Sequence, residues 1–262
     1  MPEGPELHLS AFYVNKVAKG KTFKGPIIKS EVNKNPNVDF FNDDSFTLKA
    51  VSRGKELKLM LNDDEKCILF RFGMSGSFQM TSVDDLHKHS HLRFYTKDGL
   101  EVLSFVDPRR FGRWIINGDW GQDRGPDIID EFDAFKQKIK SDLDSSALFE
   151  RPICEVMMNQ TYFNGIGNYL RAEILHKLSI RPFDKAKNVI NDELLETCKK
   201  VMEEVVDLEV HYENKDKFTD WLQCYSKKGM DNLVDFQGRT IWFSFDVGAG
   251  EMKPKRAKKR KN

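Results

Sequence analysis

The first residues of the chain place an amine next to a carboxylate. The sequence begins Met1-Pro2-Glu3-Gly4, so removal of Met1 leaves Pro2 with a free secondary amine beside the carboxyl group of Glu3. A secondary amine attacks an electrophilic carbon and forms a cationic iminium that withdraws electrons from the neighbouring bonds. The pair therefore predicts imine chemistry, with Glu3 moving the protons. Taken alone, so short a segment is more often an ordinary chain start, and the interpretation depends on residues downstream.

A lysine in a glycine-containing turn is a second candidate. Lys55 lies in Ser52-Arg53-Gly54-Lys55-Glu56, between two predicted strands, where a side chain can project across a cleft. It is a candidate for a phosphate contact or for proton transfer. The alternative for an isolated turn lysine is a solvated charge.

Two glycine-containing segments carry residues suited to entering a DNA duplex. They are Arg71–Phe78, which includes Met74, and Asp107–Trp114, which includes Arg109 and Phe111. An enzyme that acts on a base extrudes it from the duplex, and an apolar wedge, an aromatic ring and an arginine can fill the gap. For either segment in isolation, the alternative is that Met74 and Phe111 are core residues next to a loop.

Two further positions are candidates for binding a polyanion. Asn164–Glu173 reads as a glycine-rich turn that leads into a helix beginning near Asn168, and the N-terminus of a helix is a ready anion site. Arg239 lies at the tip of a predicted hairpin. The alternatives are an ordinary helix N-cap for Asn168 and a solvent-facing turn residue for Arg239.

The elements that must position these residues change type along the chain. Helical spacing over residues 5–19 predicts one amphipathic helix that carries the N-terminus. Alternating apolar residues then predict at least six short strands, which suggests a β-sandwich. These strands are Phe46–Ala50, Leu57–Leu61, Ile68–Phe72, His91–Tyr95, Val102–Val106 and Arg113–Ile116.

The second half of the chain has helical periodicity. Apolar residues at spacings of three and four recur over residues 131–210, after a Gly- and Asp-rich linker at residues 118–126. A turn at 235–238 followed by Arg239–Phe243 predicts one arm of a hairpin. The fold class is therefore α+β, with a mainly β half before a mainly α half.

Composition and charge narrow the class of protein. The chain has 262 residues, 39% of them apolar, which is enough for packed cores. It contains neither a long apolar run nor a secretory signal pattern, and its four scattered cysteines predict reduced intracellular thiols rather than a zinc site.

The net charge is +1, but residues 253–262 carry seven positive charges, which leaves about −6 on the rest. Such a tail binds polyanions or acts as a nuclear localisation signal.

The ordered motifs together resemble the formamidopyrimidine-DNA glycosylase/endonuclease VIII family. The resemblance runs nearly end to end and rests on MPEGPELHL, RGKELKL, FRFGMSGSF, HLRFYT, FVDPRRFGRW, RPICEVMMNQTYFNGIGNYLRAEIL and GRTIWF. It implies a β-sandwich with an N-terminal helix over residues 1–122, a helix–two-turn–helix domain over 123–222, a hairpin finger over 223–248 and a basic disordered tail over 249–262. DNA is expected to lie across the cleft between the domains.

The resemblance also implies roles for the candidate residues. Pro2 matches the nucleophile that forms the Schiff base, Glu3 its acid/base partner, and Lys55 a lysine that contacts phosphate and assists β-elimination. The remaining matches are the void-filling Met74, Arg109 and Phe111, the phosphate-binding Asn168, the finger arginine Arg239 tied to δ-elimination, the active-site carboxylate Glu6 and the DNA-contacting His91.

The chain departs from the family pattern in two places. Bacterial members usually hold the finger with four zinc-binding cysteines, whereas here Cys224 stands alone in that region. We therefore expect the zincless branch of the family, with no metal and no cofactor. Residues 209–216, where the lesion-recognition loop should fall, are short and acidic.

The function that follows is a bifunctional DNA glycosylase and AP lyase for oxidised bases. We expect a monomer that acts in the nucleus on damaged double-stranded or bubble DNA and has no membrane partner. One alternative is an inactive homologue that binds damaged DNA, which retention of Met1 would produce. Another is a structural or ribonucleoprotein factor, for which equal affinity for undamaged RNA and abasic DNA would be the sign.

Overall fold

The computed structural model describes residues 2–42, 44–63, 66–209 and 215–254. The chain divides into two compact units, Met1–Gln122 and Asp123–Asn262. Within the described ranges, no helix combines the length and the apolar composition needed to cross a membrane.

The first unit contains one long helix and two antiparallel sheets. The helix is α1 (Gly4–Ala18), and the strands are β1 (Phe23–Lys29), β2 (Ser45–Phe46), β3 (Leu48–Arg53), β4 (Glu56–Leu61), β5 (Lys66–Arg71), β6 (Ser77–Ser82), β7 (Ser90–Thr96), β8 (Glu101–Val106) and β9 (Arg113–Ile116). One sheet has the order β2-β1-β7-β8-β6, and the other has the order β3-β4-β5-β9. A short 3-10 helix, Val83–Asp85, precedes β7.

Aromatic side chains join the two sheets. The ring of Phe70 on β5 lies 5.0 Å from that of Phe78 on β6 and 5.0 Å from that of Phe105 on β8. Trp114 on β9 also packs against Phe105, with 6.1 Å between the ring centroids. Because these rings come from facing sheets and are buried, the first unit is a β-sandwich, as the strand pattern predicted.

Two strands of the first unit were not predicted from the sequence. β1 contains Gly25 and Pro26, and its pairing with β7 shifts register between Lys24 and Ile28, so its apolar residues do not alternate in the regular way. β6 alternates only weakly because Gln79 and Thr81 share it with half-buried Met80. The predicted helix and five of the six predicted strands are present, with bounds that differ by a few residues. The sixth, Phe46–Ala50, is divided at Thr47 between β2 in one sheet and β3 in the other.

The second unit is mainly helical and ends in a hairpin. It contains α2 (Phe132–Asp142), α3 (Ile153–Val156), α4 (Asn168–Lys177), α5 (Ala186–Val189), α6 (Asp192–Asp207), α7 (Lys215–Trp221), a 3-10 turn at Ala147–Glu150, and the antiparallel strands β10 (Asp231–Val234) and β11 (Thr240–Phe243). This order confirms the α+β class, with a sandwich before a helical region.

One apolar core holds the second unit together. α6 begins at the cap Asn191, whose Oδ1 accepts the N–H of Leu194 at 2.9 Å; such a cap contributes about 1 kcal/mol. The helix buries Leu195 and Met202 in the same cluster that receives Ile241 from β11. The hairpin is therefore anchored on the helices by apolar contact.

Candidate functional site

The N-terminus of α1 fixes a carboxylate directly after Pro2. Glu3 is the N-cap of the helix and is only 2% exposed. Its backbone N–H donates to Oε2 of Glu6 at 2.8 Å, and its own side chain accepts the N–H of Glu6. This reciprocal capping holds both carboxylates at the positive end of the helix dipole, which stabilises negative charge there. Pro2, the residue just before the cap, is half-buried.

Two side chains fix α1 on the sandwich. Asn15 makes a pair of hydrogen bonds with the backbone of Ala50 on β3: its Nδ2 donates to the carbonyl at 2.8 Å, and its Oδ1 accepts the N–H at 2.7 Å. On the other sheet, the N–H of Met80 donates to the hydroxyl of Tyr13 at 3.0 Å. The position of Pro2 and Glu3 is thus set by both sheets.

Lys55 lies in the tight turn between β3 and β4. Gly54, with φ +55°, supplies the left-handed residue of this turn. The following residue, Glu56, is fully buried and accepts Nε of Arg71 at 2.7 Å and the N–H of Gly121 at 3.0 Å. A buried carboxylate therefore holds the turn that carries the half-buried Lys55.

The predicted void-filling residues lie on two adjoining loops. Met74 is 43% exposed and Phe111 is 52% exposed, and the guanidinium of Arg109 stacks 4.8 Å from the centre of the Phe111 ring. The loops touch through backbone, since a Cβ at Gly73 would lie 2.7 Å from the carbonyl carbon of Phe111. The structure thus brings the three residues onto one surface.

The buried carboxylate of Asp107 joins these two loops. Its Oδ1 accepts the hydroxyl of Ser75, and its Oδ2 accepts the N–H of Gly112 at 2.7 Å. The N–H of Arg109 donates in turn to Oγ of Ser75 at 3.2 Å. Asp107 is the first residue of a segment that was predicted to enter the duplex, but its own side chain points inward and is fully buried.

His91 lies beneath the same loop. It is 2% exposed, with Nε2 3.1 Å from the carbonyl oxygen of Asp107 and Nδ1 2.7 Å from Oγ of Ser30. A carbonyl only accepts, so Nε2 carries the proton and Nδ1 accepts the Ser30 hydroxyl. Burial lowers the pKa of His91 below its ordinary value of 6.5, because it disfavours the imidazolium. Whereas the resemblance predicts a DNA contact, both ring nitrogens are used here inside the protein, and His91 supports the loop.

In the second unit, Asn168 links helix α4 to the hairpin. It is the first residue of α4. Its Nδ2 donates to the carbonyl of Thr240 at 3.0 Å, and its Oδ1 accepts Nη2 of Arg171 at 2.6 Å. The amide thus has a structural function in addition to the phosphate contact that was predicted for it.

A buried ion pair positions the turn that carries Arg239. Nη1 of Arg171 donates to Oδ2 of Asp235 at 2.8 Å and to the carbonyl of Cys154 at 2.7 Å. The other oxygen of Asp235 accepts the N–H groups of Gln237 and Arg239, both at 2.9 Å. The exposed guanidinium of Arg239 donates to Oε1 of Gln237 at 2.6 Å. The hairpin tip is therefore tied to the core of the helical unit.

The segment that leads into the hairpin is held by Glu173 on α4. This nearly buried carboxylate accepts the N–H groups of Gln223, Cys224 and Tyr225 at 2.9, 3.0 and 2.7 Å. Burial raises the pKa of the Cys224 thiol to about 12, and the nearby Glu173 adds to the rise. Over the described ranges, no group of three or more His, Cys, Asp or Glu residues is placed to hold a metal ion.

Comparison with known proteins identifies the family. Residues 1–114 match the model of the formamidopyrimidine-DNA glycosylase N-terminal domain, and residues 216–254 match the DNA-binding domain of endonuclease VIII-like 1. Endonuclease 8-like 1 of Homo sapiens is 41% identical over 302 aligned positions, which cover all of this chain and 77% of that protein. The chain belongs to the formamidopyrimidine-DNA glycosylase/endonuclease VIII family.

Other relatives agree with this family membership. The mouse Endonuclease 8-like 1 is 42% identical with the same coverage. The solved structure of the Lactococcus lactis formamidopyrimidine-DNA glycosylase, bound non-covalently to DNA containing an AP site, superimposes with a TM-score of 0.77 at 19% identity, over 94% of this chain and 99% of that one. The family fold is thus present over nearly the whole chain.

Within this member of the glycosylase family, the predicted site residues fall into two groups. Pro2, Glu3, Glu6 and Lys55, the void-filling residues and His91 belong to the first unit. Asn168 and Arg239 belong to the second, where they are joined through Arg171, Asp235 and Thr240.

Sequence analysis missed the buried charges that support both groups. Asp107, Arg171, Glu173 and Asp235 are all within 5% of full burial. The only signal for Arg171 and Glu173 was their position inside an otherwise apolar helix, since charged residues are almost never fully buried unless paired.

Proposed function

We propose that this glycosylase-family protein is a bifunctional enzyme of base excision repair, which removes oxidised bases from DNA and then cleaves the strand as an AP lyase. Membership of the family and the 41% identity to Endonuclease 8-like 1 support the enzyme class. The observation that carries the catalytic assignment is the buried carboxylate of Glu3, which lies directly after Pro2 and is held in a capping box with Glu6. It gives an amine at this position a fixed acid/base partner.

The first chemical step that we propose uses the nitrogen of Pro2 after removal of Met1. The nitrogen attacks C1′ of the damaged nucleotide, the bond to the base breaks, and the base leaves with the bonding electron pair and takes up a proton. Glu3 assists opening of the deoxyribose ring by protonating its oxygen. The product is an iminium between Pro2 and the opened sugar.

Strand cleavage follows from the electron demand of this iminium. The cation acidifies the hydrogen at C2′, so a base removes it and the 3′ phosphate leaves in a β-elimination. A second elimination expels the 5′ phosphate. We assign Lys55 to the phosphate contact that assists the first elimination, and Asn168 and Arg239 to phosphate contacts that hold the strand for both.

Extrusion of the damaged nucleotide leaves a gap in the duplex. We assign its filling to Met74, Arg109 and Phe111, because Met74 and Phe111 are exposed on adjoining loops and Arg109 stacks on the Phe111 ring. Their support by Asp107 means that the wedge is formed before DNA binds, which lowers the entropic cost of binding.

The expected substrates are oxidised pyrimidines and ring-opened purines, in double-stranded or bubble DNA. We propose that the protein acts as a monomer and, through its basic tail, in the nucleus. Residues 210–214, in the region of the lesion-recognition loop, and the tail residues 255–262 lie outside the described residues.

We also propose that the hairpin is a zincless finger. Its attachment is supported by Glu173, which accepts three backbone N–H groups, and by the Arg171–Asp235 pair. Together these contacts hold both the start and the tip of the finger.

Borohydride trapping tests the imine mechanism. The protein, shown by mass spectrometry to lack Met1, is incubated with an oligonucleotide containing one abasic site in the presence of borohydride. We expect a covalent adduct that peptide mapping assigns to Pro2. Strand cleavage without an adduct, or an adduct on a lysine, would overturn the assignment.

A matched variant controls for folding and DNA binding. Insertion of one glycine between Met1 and Pro2 converts the Pro2 nitrogen into an amide, which is not a nucleophile, while the DNA-contacting residues stay in place. We expect this variant to bind abasic DNA but to give neither an adduct on Pro2 nor strand cleavage.

A further inference from the structure

A pocket rich in positive charge lies in the first unit, beside the two adjoining loops that carry Met74, Arg109 and Phe111. We call these loops the wedge loops. It has a volume of about 460 Å³ and is lined by Asn33, Lys34, Asn35, Arg109, Arg110 and Arg113, together with Val32 and Gly112. Four of these residues are cationic, and none carries a carboxylate. We call it the cationic pocket.

The four cations of this pocket form no salt bridge with any of the residues that the structure describes. Within the described part of the chain, Lys34, Arg109, Arg110 and Arg113 form no salt bridge, whereas Lys58 and Arg71 of the same unit are paired with Asp119 and Glu56. The chain as a whole is nearly balanced, with 42 basic and 41 acidic residues. Gathering four unpaired cations in one concavity disfavours the free protein by mutual repulsion, so the arrangement points to an anionic ligand.

Hydrogen bonds fix the segment Asn33–Pro36, which contributes Lys34 to the pocket. Nδ2 of Asn35 donates to the carbonyl of Gly112 at 3.0 Å, and its N–H donates to Oδ1 of Asn33 at 2.9 Å. The carbonyl of Asn33 accepts Nζ of Lys29 at 2.7 Å. The indole of Trp114 donates to the carbonyl of Pro36 at 2.9 Å. The turn that carries Lys34 is thus fixed against the loop that carries the arginines.

We propose that the cationic pocket binds a phosphodiester of the DNA backbone, next to the point where Arg109 and Phe111 enter the duplex. This inference rests on the proposed function. Guanidinium groups present forked donors that match phosphate oxygens, and the pocket is open and large enough to admit a backbone segment. Arg109 lines the cationic pocket and also stacks on Phe111. Phosphate binding in the pocket would therefore place Arg109 and Phe111 next to the duplex.

The salt dependence of binding tests the pocket. The variants Lys34→Gln, Arg110→Gln and Arg113→Gln are compared with wild type for binding to a duplex containing an uncleavable abasic-site analogue, by fluorescence anisotropy. At about 0.1 M salt each substitution is expected to weaken binding about eightfold, and to lower the slope of log Kd against log salt by about 0.9, since one fewer counterion-releasing contact is made.

Lys97→Gln is the matched control. Lys97 is an exposed lysine that follows β7 at the end remote from His91 and the wedge loops. It is expected to bind the duplex with the wild-type affinity and slope. The thermal unfolding midpoints of all four variants are measured alongside, so that a loss of affinity from misfolding is recognised.

Neutral backbone linkages then identify the ligand. Single methylphosphonates are placed one at a time along both strands. One position near the lesion is expected to weaken wild-type binding and to leave the Arg110→Gln variant unaffected. No such position, together with unchanged salt slopes, would overturn the proposal.

Free polyphosphate is the other source of the same chemistry. Tripolyphosphate is titrated into the protein and followed by calorimetry. Tight binding of tripolyphosphate that the three substitutions abolish, with DNA affinity unchanged, would show a site for a soluble polyanion and would also overturn the proposal. Borohydride trapping on Pro2 is scored separately, so the proposed enzyme activity can stand or fall independently of the pocket.

Discussion

Arg171 and Asp235 form an ion pair in which neither side chain is exposed to solvent, with Nη1 2.8 Å from Oδ2. Arg171 belongs to the helix that begins at Asn168, and Asp235 belongs to the turn that ends at Arg239. The pair therefore couples the two predicted phosphate contacts of the second unit. A substitution of Arg171 or of Asp235 is therefore expected to affect both Asn168 and Arg239.

Removing one partner of this pair is expected to destabilise the protein strongly. Asp235→Ala leaves a buried guanidinium without its counter-ion and leaves two backbone N–H groups without an acceptor. We expect a loss of about 3–5 kcal/mol in the free energy of unfolding, measured by urea denaturation. Asp144→Ala, which removes the exposed partner of Lys187, should cost at most about 1 kcal/mol. Equal effects of the two substitutions would contradict the structural role of the pair.

Separating the two wedge loops is expected to slow base excision as well as to destabilise the protein. In Gly73→Ala, the new Cβ would lie 2.7 Å from backbone of Phe111 at a residue with φ +65°. Gly99→Ala has a similar backbone strain, φ +74°, but open space around the Cβ. Both should lose about 1–2 kcal/mol from the left-handed conformation, and Gly73→Ala should lose more because its Cβ meets backbone that must shift. Only Gly73→Ala should also slow base excision, measured in single-turnover assays.

Loss of the buried carboxylate of Asp107 is expected to affect base excision more than cleavage of a preformed abasic site. Asp107→Ala leaves the N–H of Gly112 and the hydroxyl of Ser75 without their acceptor, at about 1–3 kcal/mol for each group. Because an abasic site has no base to extrude, its cleavage depends less on an ordered wedge. If the cost of one unsatisfied group is added to the activation free energy of base excision, excision should slow by about tenfold to a hundredfold. Cleavage of a preformed abasic site should slow less.

The control for this substitution is a carboxylate with similar bonds elsewhere in the sandwich. Asp98 accepts the N–H of Leu100 at 3.0 Å and the hydroxyl of Thr96 at 2.6 Å in the turn between β7 and β8. Asp98→Ala should leave both activities at the wild-type rate. If it changed the ratio of excision to abasic-site cleavage, the assignment to Asp107 would fail.

The buried His91 is expected to make stability depend on pH. Its pKa is lowered in the folded protein because burial disfavours the charged ring, so below the ordinary value of 6.5 the unfolded chain takes up a proton first. Stability should therefore fall as pH decreases from about 6.5 and should be unaffected by this group at higher pH. In His91→Gln this dependence should disappear. Parallel stability curves for the two proteins between pH 5 and 7.5 would refute the prediction.

The fold was predictable where apolar periodicity was regular. Helix α1, the strands that alternate and helix α6 followed directly from spacing. β1 did not, because Gly25 and Pro26 interrupt its alternation, and its place in the sheet depends on pairing with the distant β2 and β7.

Sequence alone named the residues proposed to do chemistry but not the buried residues that hold them in place. Pro2, Glu3 and Lys55 were named from residue type and position, and the family roles of the site residues remain predictions. Asp107 and Asp235 could not be assigned, since a carboxylate in a turn reads as solvated unless its partners are known. Those partners are as distant as Ser75 and Arg171, and only the fold brings them near.

Glu173 receives backbone groups of three successive residues rather than their side chains. Every residue other than proline has such a group, so the attachment does not depend on which side chains occupy 223 and 225. Most substitutions at these two positions would therefore keep the three bonds to Glu173, and the constraint on residue 225 comes instead from its ring, which packs against the core.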